Sequence, residues 1–84
     1  MQNELEHQVK ALIANCLAVK EIEFHGDTQL VNELYFDSLE LMDLVMQLNE
    51  HFGIDIGGDE VVGLITVSDV CREVERQLAL NAIP

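Results

Sequence analysis

The stretch YFDSLELMDLVMQLNEHF, residues 35–52, decides the fold because it has the pattern of one amphipathic helix with a defined start. Asp37 followed three positions later by Glu40 has the form of a capping box, in which each side chain satisfies a backbone N–H group at the start of a helix. The pattern therefore predicts a helix over Ser38–Phe52, and Gly53 after it supplies a natural C-terminal stop.

The apolar residues of this helix fall into two stripes when successive positions are placed at about 100° intervals. The first stripe is sufficient to anchor the helix in a core and consists of Leu41, Leu44, Val45, Leu48 and Phe52. The second stripe lies on another sector and consists of Leu39, Met42 and Met46, with Asp43 and Glu50 close beside it. Exposed Leu and Met flanked by acids suit docking into a partner's groove, whereas a central helix packed on two sides would bury them. Because one helix of a small bundle buries only part of its circumference, we expect the second stripe to be at least partly exposed.

The rest of the chain predicts two further main helices and a short one. Apolar residues recur at three- and four-residue intervals over about residues 3–19, and residues 59–63 have room for one helical turn. Thr66 and Asp69 form a second expected capping box, which opens a last helix. The first helix would bury Leu5, Val9, Leu12, Ile13 and Cys16, and the last one Val67, Val70, Cys71, Val74 and Leu78.

Residues 21–36, between the first two helices, lack a long periodic pattern, and Gly26-Asp27 interrupts them. We expect a long, partly packed loop whose apolar residues cover one end of the core. The predicted fold class is therefore all-α: a small four-helix bundle, with three main helices, one short helix and a long loop between helices 1 and 2.

Length and charge limit the function classes. The 84 residues, 49% of them hydrophobic, favour one small domain over residues 1–84, and so thin a core disfavours a deep catalytic cavity. A formal net charge of −12 would repel phosphate, which disfavours nucleic acid as a partner and favours basic proteins. The N-terminus has no signal-peptide pattern, and no window approaches the ~18 to 20 apolar residues of a membrane span. We expect a cytoplasmic protein.

The cysteines and histidines do not predict a metal site. Cys16 and Cys71 fall on inward stripes, where small buried hydrophobes are expected. The histidines have no ligand spacing and should be surface residues; they are His7, His25 and His51.

Ser38 has three possible roles at the start of its helix: part of the capping turn, nucleophile or attachment point. A nucleophile needs a base within hydrogen-bond reach, and His51 lies thirteen residues along the same helix. We therefore expect no catalytic residues. A phosphate ester on Ser38 would face free backbone N–H groups and the positive end of the helix dipole. Position alone favours a plain serine of the capping turn over an attachment point.

Asp37-Ser38-Leu39, followed by an acidic helix rich in Leu, Val and Met, resembles the acyl carrier proteins, and the resemblance extends over most of the chain. It implies that Ser38 receives 4′-phosphopantetheine from coenzyme A. The transfer would need holo-acyl-carrier-protein synthase or another phosphopantetheinyl transferase, which uses magnesium. The thiol of the arm would carry acyl groups as thioesters, and the protein itself would catalyse nothing. The cargo stays open between a fatty acyl group, a polyketide intermediate and an aminoacyl group, although the glycine-rich motif that peptidyl carriers more often show before the serine is absent.

The same resemblance implies two further sets of residues in a monomer. A face that basic partner enzymes recognise would consist of Leu39, Glu40, Met42, Asp43, Met46 and Glu50. Those partners would be acyl ligases, ketosynthases or acyltransferases of fatty-acid, lipid or polyketide-type synthesis. An acyl chain sheltered between the helices would contact Leu48, Ile56, Val61 and Leu64.

Three departures from the family pattern suggest a specialised carrier. Tyr35 stands where the family usually has glycine, and Asn49 where an acid is common in members that serve fatty-acid synthesis. Gly57-Gly58 replaces the usual Pro-Asp, so this link should be more mobile. From a different class, an unmodified acidic helical adaptor that docks a basic partner would share every feature except the use of Ser38.

Overall fold

The computed structural model describes residues 2–17 and 23–81, and these residues form four helices. They are α1 over Gln2–Cys16, α2 over Ser38–Phe52, α3 over Gly58–Val61 and α4 over Val67–Asn81. The all-α bundle is confirmed, and so are the predicted bounds of α2. Within the described part of the chain, no helix combines the length and apolar character needed to cross a membrane.

The ends of two helices differ from the approximate bounds predicted for them. Helix α1 ends at Cys16. The N–H group of the next residue, Leu17, donates to the Ala14 carbonyl at 3.2 Å, three residues back instead of the four of an α-helix, and the Leu17 side chain is buried. The expected end at residue 19 lies outside the described residues. Helix α3 is shifted toward the N-terminus, because the Glu60 carboxylate accepts from the Gly57 N–H at 2.8 Å and so opens the helix one residue early.

Both predicted capping boxes are confirmed. The Glu40 N–H donates to Asp37 Oδ1 at 2.8 Å, and the Asp37 N–H donates to Glu40 Oε1 at 3.0 Å. At α4 the Asp69 N–H donates to Thr66 Oγ1 at 3.1 Å, and the Thr66 N–H donates back to Asp69 Oδ2 at 2.9 Å. That backbone bond from Thr66 is the main reason why the pKa of Asp69 lies below its ordinary value.

The core lies between α1, α2 and α4. Leu44 and Leu48 of α2 are fully buried, Val45 is buried, and Leu41 and Phe52 pack against them half-buried. The first apolar stripe of α2 therefore anchors it as predicted. The other helices contribute the fully buried Val9, Ile13, Val67, Val70 and Val74.

The long loop is packed against the α3–α4 link rather than free. The Leu30 N–H donates to the Ile65 carbonyl at 2.9 Å, and the Ser68 N–H donates to the Gly26 carbonyl at 2.7 Å. Gly26 approaches so closely that an added Cβ would lie 2.6 Å from Ser68 Oγ, which explains the glycine. The loop also places three apolar side chains in the core, namely Leu30, Leu34 and Phe36. The expectation of a partly packed loop is confirmed.

Asn49 joins the end of α2 to the α2–α3 link. The Ile56 N–H donates to Asn49 Oδ1 at 2.7 Å, and Asn49 Nδ2 donates to the Ile56 carbonyl at 3.4 Å. The carboxylate common at this position in the family would accept the first bond but has no hydrogen to donate in the second. Asn49 therefore holds the α2–α3 link in place through the Ile56 backbone, and it also removes a charge from α2.

Asn49→Ala should lower the free energy of unfolding by about 1–2 kcal/mol, because it leaves the Ile56 backbone groups without these partners. The measurement is urea unfolding followed by circular dichroism. The matched control is Glu50→Ala, which changes an exposed neighbour and should shift stability by no more than about 0.5 kcal/mol. Equal stability of the two variants would show that the two Asn49 bonds do not hold the link.

Candidate functional site

Ser38 is the first residue of α2, and its side chain is exposed. The cap of α2 is made by Asp37 and Glu40, and neither of its two side-chain hydrogen bonds involves the Ser38 hydroxyl. Ser38 thus lies in the capping turn without performing the capping. Its hydroxyl is accessible to another protein, and the helix does not depend on it.

The start of α2 favours an anion on Ser38. The backbone N–H groups of the first turn and the helix dipole place partial positive charge there. The Asp37 carboxylate is close in sequence and opposes an added negative charge, but it accepts a hydrogen bond from the Glu40 N–H. A phosphate ester at this position would be partly compensated by the helix end.

The second serine of the chain, Ser68, differs from Ser38 although it also lies in the first turn of a long helix. Ser68 is half-buried, and its hydroxyl lies against Gly26 of the long loop. Only Ser38, of these two serines, presents an exposed hydroxyl.

The second stripe of α2 is exposed, as predicted. The exposed fractions are 80% for Leu39, 50% for Met42 and 58% for Met46. These three side chains line one shallow groove of about 370 Å³ together with Glu40 and Asp43. Packing of α2 on two sides, the other interpretation of the stripe, is therefore wrong. Glu50 is also exposed, but it is not among the residues that line this groove.

Asp43 lies at the edge of the groove that faces α1. Gln47 Nε2 donates to Asp43 Oδ2 at 3.2 Å and to Cys16 Sγ at 3.4 Å. Cys16 is half-buried and has these polar neighbours, so the expectation of a simple buried hydrophobe was too strong.

Cys71 is also half-buried. Burial is the main reason why the pKa of its thiol lies above the ordinary value, and the negative charge of Glu6 adds to the effect.

The four residues expected around an acyl chain lie in or against the core. Leu48, Ile56 and Leu64 are buried, and Val61 packs half-buried against the same cluster. A larger open groove of about 630 Å³ touches Leu64 but is lined mainly by charged side chains of α3 and α4, including Glu60, Arg72 and Arg76. An acyl chain would therefore have to separate the core residues rather than fill that groove.

The three histidines are exposed, in agreement with their predicted surface role. His51 lies near the C-terminal end of α2, where its Nε2 is 3.1 Å from Gln8 Oε1. Thirteen residues of helix, roughly 20 Å at about 1.5 Å per residue, separate it from Ser38.

Tyr35 has a backbone conformation that the sequence did not reveal. Its φ is 62°, in the left-handed region that glycine adopts readily and that a bulky residue rarely does. The structure thereby explains why glycine suits this position, and Tyr35 keeps the same conformation with its side chain 75% exposed. One indication of this conformation was available in the sequence, because Tyr35 stands at a position where the family usually has glycine.

The described residues thus combine a small helical bundle, an accessible serine at the N-terminal end of α2 and an exposed apolar groove beside it. A family model described as a phosphopantetheine attachment site matches residues 7–74. Among curated relatives, an acyl carrier protein of Thermotoga maritima is 31% identical, over 92% of this chain and 95% of its own. An acyl carrier protein of Chlamydia trachomatis serovar D is 36% identical, over 87% of this chain and 95% of its own.

Solved structures show the same fold. A putative acyl carrier protein from Mycobacterium tuberculosis superimposes with a TM-score of 0.75 at 29% identity and covers 90% of this chain and 96% of its own. The Thermotoga maritima acyl carrier protein gives a TM-score of 0.77 at 20% identity, covering 93% and 91%. The chain belongs to the acyl carrier protein family. The prosthetic group of this family is 4′-phosphopantetheine, and its members act as carriers.

Proposed function

We propose that this chain carries acyl groups as thioesters on a 4′-phosphopantetheine arm attached to Ser38, within an attachment motif completed by Asp37 and Leu39. The observation that supports this most strongly is the exposed Ser38 hydroxyl, which the cap of α2 leaves unused. The residues around it fit the group, because the phosphate would lie at the positive end of α2.

For attachment of the arm, this chain only has to present the Ser38 hydroxyl at the exposed start of α2. The Ser38 oxygen attacks the phosphorus of coenzyme A that bears the pantetheine, and a new O–P bond forms. The pyrophosphate bond breaks, adenosine 3′,5′-bisphosphate leaves with the electron pair, and the hydroxyl proton passes to a base on the transferase. The exposed His51 lies too far along α2 to act as that base. When bound, the arm supplies a thiol for thioester formation.

The groove formed by Leu39, Met42 and Met46 supports docking of enzymes that act on the arm. Two acids line it, Glu40 and Asp43, and the whole chain has a formal net charge of −12. Apolar contact with Leu and Met, together with attraction of basic side chains, suits acyl ligases, ketosynthases or acyltransferases. We include the exposed Glu50 in this face as an outlying acid.

We assign no catalytic step to the chain itself, and we propose that it acts as a single monomeric domain in the cytoplasm. We also propose that a sheltered acyl chain enters between Leu48, Ile56, Val61 and Leu64. Three of these are buried together, so the shelter would open by movement of the α2–α3 link against the core. The Asn49–Ile56 hydrogen bonds would set the resistance to this movement.

The test is an intact mass spectrum after incubation with coenzyme A, magnesium and a broad-specificity phosphopantetheinyl transferase. The expected result is a gain of one phosphopantetheine per chain. An unmodified adaptor that binds basic partners would show no gain, and that result would refute the carrier function of Ser38.

A further inference from the structure

Tyr35 holds an unfavourable backbone conformation without the burial that usually offsets one. Its φ of 62° costs free energy for a residue with a bulky side chain, and its ring is 75% exposed. The ring lies three residues before Ser38, in the turn that leads directly into α2. Strained residues that persist in exposed turns are concentrated at binding sites, which makes Tyr35 a candidate contact residue.

Two more exposed apolar residues lie on backbone segments joined to this turn. The Leu30 N–H donates to the Ile65 carbonyl at 2.9 Å, and the Phe36 N–H donates to the Leu30 carbonyl at 3.0 Å. Val31 and Ile65 are each more than half exposed, whereas Leu30 and Leu64, which precede them in the chain, are buried. We call Tyr35, Val31 and Ile65 the Tyr35 patch. None of its three residues is among those that line the groove of Leu39, Met42 and Met46.

The charge around the patch indicates its partner. Glu33 and Asp37, on either side of Tyr35 in the chain, are exposed acids, and so is Asp27 in the same loop. An apolar patch among carboxylates is complementary to an apolar pocket rimmed by Lys or Arg. A nucleic acid, although it offers apolar bases, would bring phosphates against these acids.

The position of the patch distinguishes between arm-directed enzymes. An enzyme that acts on the thiol works at the far end of the arm, whereas the enzyme that attaches the arm must bring its active site to the Ser38 oxygen itself. The second enzyme must therefore cover the turn three residues away. We propose that the Tyr35 patch is a docking site for the phosphopantetheinyl transferase, which receives the tyrosine ring in an apolar pocket with a basic rim. This inference rests on the proposed attachment at Ser38.

Tyr35→Gly tests the proposal without damage to the fold, because glycine adopts a positive φ readily and the lost ring is exposed. With coenzyme A, magnesium and the cognate transferase of this carrier, rather than a broad-specificity one, we expect the kcat/KM for loading to fall about tenfold, mainly through a higher KM. Tyr35→Phe keeps the ring and should load within about twofold of the original chain. The thermal midpoint of Tyr35→Gly should be equal or higher, because the strain is relieved.

The matched control is Leu80→Ser. Leu80 is 51% exposed near the end of α4. The side chain of its neighbour Asn81 donates to the carbonyl of Gly53, which follows the C-terminal end of α2, whereas Ser38 is at the N-terminal end. This variant should load normally. Normal loading of Tyr35→Gly, or equal slowing by Leu80→Ser, would overturn the docking proposal. If the unsubstituted chain is not loaded at all, the attachment at Ser38 fails as well.

Discussion

Replacing Ser38 by alanine should abolish loading completely, so that the mass gain of one phosphopantetheine disappears. The substitution removes the oxygen that forms the bond to phosphorus. It should leave the fold intact, because Asp37 and Glu40 cap α2 and alanine is favourable in a helix. We expect the free energy of unfolding to change by no more than about 0.5 kcal/mol, as for other exposed sites. The measurements are intact mass and urea unfolding.

The second serine provides the control for this experiment. Ser68 is half-buried at the start of α4, with its hydroxyl against Gly26, so Ser68→Ala should be loaded to the same extent as the original chain. A gain that survives Ser38→Ala but is lost in Ser68→Ala would place the arm on the wrong helix for this account. Ser38→Ala that fails to load because it is unfolded would be recognised by circular dichroism, and Ser38→Gly would then repeat the test.

Replacing Met46 by glutamate should give the second large effect, a folded protein that its acylating enzyme uses poorly. Met46 is 58% exposed, so a carboxylate there stays hydrated. In the complex, the same carboxylate would enter an apolar contact, and loss of a central contact of this kind costs about 2 kcal/mol or more. The kcat/KM for acylation should therefore fall about 30-fold, since 1.4 kcal/mol corresponds to about tenfold.

Two variants separate docking from stability. Met46→Leu keeps an apolar side chain of similar volume and should support acylation within a few-fold of the original chain. Leu48→Glu, two residues further along α2, places a charge at a fully buried position and should destabilise the protein by several kcal/mol. Undiminished acylation of a folded Met46→Glu protein would show that the groove is not the docking face.

The sequence predicted those parts of the fold that depend on short spacings. Asp37 with Glu40, and Thr66 with Asp69, each lie three residues apart, so their capping boxes follow from local geometry. The exposed second stripe of α2 could also be predicted, because a helix buries only part of its circumference. The end of α1 could not, because Leu17 continues the apolar pattern while its backbone has left the helix.

The features missed in the sequence depend on long-range contacts or on backbone conformation. Nothing near Leu30 in the sequence indicates its bond to Ile65. The two residues are 35 positions apart, and both α2 and α3 lie between them in the chain. Asn49 gave a weak signal, since asparagine is a poor helix former in the last turn of α2. The left-handed conformation of Tyr35 was hidden by a residue type that rarely adopts it. Ser38 could be singled out, but its freedom from the cap required the structure.

The most direct test of the account is to load the chain, acylate the arm enzymatically and locate the added mass by fragmentation. The account predicts an acyl-phosphopantetheine on the fragment that contains Ser38, from which hydroxylamine removes the acyl group and leaves the arm. An acyl group that resists hydroxylamine, or an added mass on a fragment without Ser38, would contradict the claim that this protein carries thioesters at the start of α2.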